Sequence, residues 1–172
     1  GGSEVVPVGT TYTWTVVDNP NVIGESDQAT GQSSISQLLT NNTNTAQTVV
    51  YTVTPKAGVC PGATFTVTVI VNPKPVIGSQ TPVICSGGSF SVTTVDNAPT
   101  TIVPSNTLYT WGTPVISPAG SITNGTAQAT GVSQISQTLN NITAGVATAT
   151  YTVVPKAGTC TGSNFTVTVT VN

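Results

Sequence analysis

The chain repeats itself once, and that repeat limits what it can fold into. Residues 48–72, TVVYTVTPKAGVCPGATFTVTVIVN, and residues 148–172, TATYTVVPKAGTCTGSNFTVTVTVN, match at a spacing of 100. QATGQSSISQLL from Gln28 matches QATGVSQISQTL from Gln128 at the same spacing. Tyr12-Thr13-Trp14 matches Tyr109-Thr110-Trp111 at a spacing of 97, so the second copy carries three more residues (100 − 97) between the Trp and the Gln-Ala-Thr-Gly. A repeat this long is a domain-sized unit, well above the short repeats of a solenoid.

Pro82 to Asp96, PVICSGGSFSVTTVD, has no counterpart in the first copy. Its match belongs upstream of Gly1, so the first copy is read as incomplete, lacking one or two strands. That predicts an exposed sheet edge, a liability in natural proteins, or a strand supplied by something else. Asn72-Pro73-Lys74-Pro75 lies between the copies, and alternating prolines favour a stiff, extended connection. The expected organisation is an incomplete repeat over 1–72, a proline-rich linker over 73–75 and a complete repeat over 76–172.

The strands follow from period two. Phe165, Val167, Val169 and Val171 alternate with Thr166, Thr168 and Thr170, the pattern of a strand with one buried face. The first copy repeats it with Phe65, Val67, Val69 and Val71 inward. The preceding strand places Ala149, Tyr151 and Val153 inward, against Val49, Tyr51 and Val53. Ser89–Val95, Leu108–Trp111 and Ser133–Leu139 read as further strands. No segment sustains a 3.6-residue period, so no helix is expected. About seven short strands per full copy, punctuated by Gly, Pro and Asn, predict an all-β fold of two tandem β-sandwiches. Trp14 and Trp111 are expected between the sheets of each unit, each indole N–H on a carbonyl. The rival reading of these two residues is a sugar-stacking platform.

Composition removes most function classes. Three lysines, Lys56, Lys74 and Lys156, are the only cations, and there is no Arg or His. They form no patch for phosphates, so no nucleic-acid partner is expected. No apolar run approaches the ~20 residues of a membrane span. Without His, and with Asp96 as the single carboxylate of the second copy, no acid–base or nucleophilic constellation can be built. The chain is therefore read as no enzyme, with no cofactor and no metal. Asp18, Glu25 and Asp27 suggest calcium, but the matching stretch 112–126 has no carboxylate, which favours a solvated loop. Lys56 and Lys156 share a Pro-Lys-Ala-Gly context, read as a turn lysine rather than one half of an isopeptide bond. The Thr-Val-Thr rows are read as an outer sheet face rather than an ice-binding array.

The cysteines are Cys60, Cys85 and Cys160. In a sandwich of immunoglobulin type, the start of the first strand and the turn before the last are expected at one pole. That makes Cys85–Cys160 a plausible disulfide, worth roughly 4 to 5 kcal/mol in the chain-entropy model, and leaves Cys60 unpaired. The parity would fit an oxidising, extracellular compartment. Three reduced thiols and a Cys60–Cys85 bridge are the other readings.

Tyr-Thr-Trp in both copies, the strands Tyr-Thr-Val-Thr-Pro at 51–55 and Tyr-Thr-Val-Val-Pro at 151–155, and Phe-Thr-Val-Thr-Val at 65–69 and 165–169 resemble PKD-like domains, which are immunoglobulin-like sandwiches. Ile84-Cys85-Ser86-Gly87-Gly88 and the twice-repeated Lys-Ala-Gly-x-Cys resemble tandem repeats of very large Bacteroidota surface proteins, exported by type IX secretion and used in gliding motility. The resemblance implies non-catalytic stalk repeats of an extracellular adhesin, whose partners are neighbouring repeats. The alternatives are repeats that bind polysaccharide themselves, or an accessory module of a secreted enzyme. One departure stands out. Typical PKD domains follow the Trp with an acidic, Gly-containing turn, whereas Trp14 precedes Thr-Val-Val-Asp-Asn and Trp111 precedes Gly-Thr-Pro-Val.

Overall fold

The computed structural model describes residues 5–172. Every regular element among them is a strand. The chain divides into two compact units between Asn72 and Pro73.

Unit 1 holds β1 (Thr10–Val16), β2 (Val22–Ile23), β3 (Gln28–Gln32), β4 (Thr40–Asn41), β5 (Gln47–Ala57), β6 (Cys60–Pro61) and β7 (Phe65–Val71). Its central strand is β5. β5 pairs antiparallel with β1 from Thr10↔Ala57 to Val16↔Tyr51, and with β7 from Gln47↔Val71 to Val53↔Phe65. β3 extends the sheet beyond β1, and β6 folds back on β5. Period two decides the faces: Val49, Tyr51 and Val53 are buried, while Thr48, Val50 and Thr52 are exposed.

Unit 2 holds β8 (Val83–Ile84), β9 (Ser89–Val92), β10 (Leu108–Trp111), β11 (Val115–Ser117), β12 (Ile122–Thr123), β13 (Gln128–Val132), β14 (Ile135–Thr138), β15 (Asn140–Asn141), β16 (Ala147–Ala157), β17 (Cys160–Thr161) and β18 (Phe165–Val171). β16 is central here, flanked by β10 and β11 on one side and β18 on the other. Residues 80–84 run parallel to β18, with Gln80 opposite Val167 and Val83 opposite Thr170. β9 and β14 pair antiparallel over the core, as do β12 and β15. Phe90, Val92, Ile135 and Leu139 close that layer onto Tyr109, Trp111, Tyr151 and the valines of β18, in one buried cluster. Phe90 packs 5.5 Å, centroid to centroid, from Tyr151.

The two units differ where β8 and β9 lie. No strand among the described residues of unit 1 takes their place. Residues 34–39, which match β14, form no strand there; a lone strand with no ladder partner is not stable. Ile35 and Leu39 are only partly buried, whereas Ile135 and Leu139 are fully so. The expectation that Phe65 is a core residue is corrected by this difference. Phe65 is 42% exposed and Phe165 is 4% exposed; no counterpart of Phe90 and Val92, which share the core cluster of Phe165, stands among the described residues of unit 1. Pro75, in the stretch read as a linker, is fully buried in unit 2.

Candidate functional site

The polar groups that recur in both units hold the fold together. In unit 2 the Trp111 indole N–H donates to the Thr126 carbonyl at 3.0 Å. Gln137 Nε2 donates to the same carbonyl at 2.8 Å, and Gln137 Oε1 accepts from the Thr126 N–H at 3.1 Å. The Tyr151 hydroxyl donates to that Oε1 at 2.8 Å. Unit 1 rebuilds the set with Trp14, Ser26, Gln37 and Tyr51, whose hydroxyl donates to Gln37 Oε1 at 2.7 Å. One carboxamide thus links a loop, an indole's acceptor and a buried phenol in a set that runs from the exposed loop to the part-buried hydroxyl. Burial pushes the Tyr151 phenol up to about 12. Tyr51 is raised as well, first by burial and then by the nearby Glu25 charge.

A second recurring residue is Asn141. Its Nδ2 donates to the carbonyls of Gly145 at 2.7 Å and Val171 at 3.0 Å, and its Oδ1 accepts from the Thr143 N–H at 3.0 Å. Asn41 makes the same three bonds to Thr45, Val71 and Thr43. Each Asn ties a loop to the end of its unit's last strand. Neither the Gln nor the Asn is an obvious choice from the sequence. Their only signal is recurrence at the spacing of 100.

Three carboxylates serve nearby backbone. Asp27 Oδ1 accepts from the Val16 N–H at 2.8 Å, Asp96 Oδ1 from the Val103 N–H at 2.8 Å, and Glu25 Oε1 from the Asn19 N–H. Glu25 Oε2 is buried without a partner. Among the described residues no three His, Cys, Asp or Glu side chains cluster as metal ligands. Lys56 and Lys156 are exposed on β5 and β16. Of the nine aromatic side chains, Phe65 alone is exposed. Tyr109 is buried, and its hydroxyl lies 2.7 Å from Thr94 Oγ1.

The Cys85–Cys160 pairing is corrected. All three cysteines are free thiols, Cys60 and Cys85 exposed and Cys160 partly buried. Cys85 follows Ile84, which pairs with Val171 at the end of β18. Cys160 pairs with Ala157, beyond the Val153↔Phe165 pair at the start of β18. The seven residues of β18 separate the two by about 20 Å, and a disulfide needs Cα atoms within about 7 Å. The first strand runs parallel to the last, which sends its far end to the opposite pole.

Two features of unit 1 stand open among the described residues. The outer side of β7 has no strand partner among the described residues. A cleft of about 730 Å³ opens beside it, lined by Val6, Pro7, Tyr12, Pro55, Gly62 and Phe65 among others.

A model of the PKD-like domain matches twice, over residues 2–75 and 82–172. No curated protein matches the chain. Among solved structures, a protocadherin gammaB7 EC3-6 cis-dimer is similar at 16% identity and a TM-score of 0.29; the match covers 94% of this chain and 42% of that one. With two matches that span nearly its whole length, the chain belongs to the PKD-like domain family and carries two copies of that domain in tandem.

Proposed function

We propose that the chain is a pair of non-catalytic spacer repeats from an extracellular, cell-surface adhesin, of the large Bacteroidota type exported by type IX secretion and used for attachment or gliding. The observation that carries this reading is what the repeats have in common. The Trp–Gln–Tyr set and the Asn clamp recur in both units, and both serve the scaffold rather than a ligand. The carboxylates differ between the units and cap local backbone. A row of exposed aromatics, which polysaccharide binding by the repeats would call for, is not supported by the burial of Tyr109.

The test is replacement within the parent protein. Both repeats are exchanged for unrelated immunoglobulin-like modules of equal number, and surface attachment of cells is measured. Attachment at the original level supports a spacer. Its loss, together with saturable binding of the 172-residue chain on a polysaccharide array, would assign binding to the repeats themselves.

A further inference from the structure

We propose that unit 1 is a strand acceptor: the open side of β7 and the cleft beside it take an extended segment of the type that residues 73–92 form in unit 2. The inference is independent of the spacer reading, because it concerns how one unit completes its sheet.

Unit 2 shows what such a segment does. The Gln80 N–H donates to the Thr166 carbonyl, and the N–H groups of Thr168, Thr170 and Asn172 donate to the carbonyls of Gln80, Pro82 and Ile84, all within 3.0 Å. Upstream, Pro75 is fully buried and Ile77 joins the core. Downstream, Phe90 and Val92 cover the sheet. One stretch of chain therefore makes a parallel ladder, fills a cleft and closes a face.

Unit 1 keeps the receiving half of each contact. β7 carries Phe65, Val67, Val69 and Val71 at the positions of Phe165, Val167, Val169 and Val171. All four of the latter are buried; of the former, Phe65 is exposed and the other three only half-buried. Thr66, Thr68 and Ile70 stand where the ladder groups of β18 stand, and unpaired strand edges recruit strands through main-chain hydrogen bonds. Gly162 marks where Pro75 enters: a Cβ there would sit 2.3 Å from the Pro75 carbonyl oxygen. Unit 1 has Gly62 at that place, and the three atoms nearest to a Cβ on it all belong to Pro55 of its own unit. The cleft lies over this glycine. A glycine, a cleft and an uncovered face all fit one incoming segment, with proline near its start, a parallel strand in its middle and a Phe-x-Val pair at its end.

A second copy of the chain is the poorer occupant. It can offer its own residues 73–92 only by stripping them from its unit 2, which opens an equal edge there. The committed occupant is a stretch of polypeptide outside residues 5–172 that carries this pattern, a proline followed by a strand and a Phe-x-Val pair.

The experiment adds a synthetic peptide of residues 73–92 to the full chain. Cys60, Cys85 and Cys160 are replaced by Ser in the protein, and Cys85 by Ser in the peptide. The peptide carries Val83→Cys, and the protein carries either Ile70→Cys or Thr66→Cys. Val83 faces Thr170 in unit 2, so the proposal expects a disulfide with the position-70 protein and none with the position-66 protein. Fluorescence of Trp14 before mixing, in a Trp111→Phe background, checks that unit 1 is folded in both variants. Saturable binding with a cross-link only at position 70 supports the proposal. It is overturned if neither position cross-links, if both do so equally, or if sedimentation shows that the unmixed chain dimerises through β7 and loses the dimer on Val69→Lys.

Discussion

The Tyr151 hydroxyl and Gln137 Oε1 meet at 2.8 Å, and the same bond joins Tyr51 to Gln37 at 2.7 Å. Truncating Gln137 leaves the part-buried Tyr151 hydroxyl without its partner, while the Thr126 N–H, in an exposed bond, turns to water. Gln137→Ala should therefore cost unit 2 about 1–3 kcal/mol, more than the ~1 kcal/mol expected of Tyr151→Phe, which removes donor and demand together. Urea unfolding followed through Trp111, in a Trp14→Phe background, measures both. Equal losses would mean that the carboxamide is not the hub.

Alkaline pH should weaken unit 2 through Tyr151. Its phenol is pushed up to about 12 in the folded chain, against 10.0 when exposed. Between those values the folded state holds a proton that the unfolded state has lost. The contribution is complete below pH 10, and stability falls as pH rises from there towards about 12. Absorbance at 295 nm during an alkaline titration should show a late phenolate step that coincides with loss of unit 2 structure. In unit 1, Glu25→Gln removes one of the two causes that raise Tyr51, so the Tyr51 step should move to lower pH.

Phe165 and Phe65 occupy equivalent strand positions in unlike surroundings. Phe165→Ala should cost about 3–5 kcal/mol, the usual loss for a buried aromatic. Phe65→Ala should cost clearly less, because 42% of that side chain is already exposed. Thermal unfolding of each variant, read through the Trp of its own unit, makes the comparison.

Much of this was legible in the sequence because burial and strand period coincide. Phe165–Val171 is a strand with its odd positions buried, as the Val/Thr alternation requires, and Leu108–Trp111 is a strand over those residues. The alternation names a face, however, and not what lies over it. Phe65 and Phe165 have the same local pattern, and non-local residues, among them Ile77, Phe90 and Val92 of the unit 2 core, separate their fates. Residues 34–39 match β14 and yet form no strand, for the same reason. The cysteine pairing failed on position along the strand: the expectation puts Cys85 at the start of the first strand, whereas it follows the strand's end at Ile84, opposite Val171. Gln137 and Asn141 were hidden because a single polar residue in a polar loop has no period.

Thiol mapping checks that correction. Digestion of the chain after mild air oxidation, with mass spectrometry of the fragments, should give no Cys85–Cys160 linked peptide. Finding one would require a different register for β8 on β18.

Asn141→Ala should expose the last strand of unit 2. The substitution removes the donor that satisfies the Gly145 and Val171 carbonyls and the acceptor for the Thr143 N–H. A loss of about 2–3 kcal/mol is expected, with faster amide hydrogen exchange at Thr170 and Asn172 than at Thr150.

The parallel placement of residues 80–84 on β18 also sets how unit 2 responds to tension. A pull that separates Gln80 from Asn172 slides the two strands along each other in shear. The four N–H···O=C bonds between residues 80–84 and 166–172 then share the load at once. An antiparallel hairpin pulled at its open end would lose its bonds one at a time, like a zipper. The strand direction that keeps Cys85 from Cys160 is the same one that makes the unit resist stretching without any covalent staple.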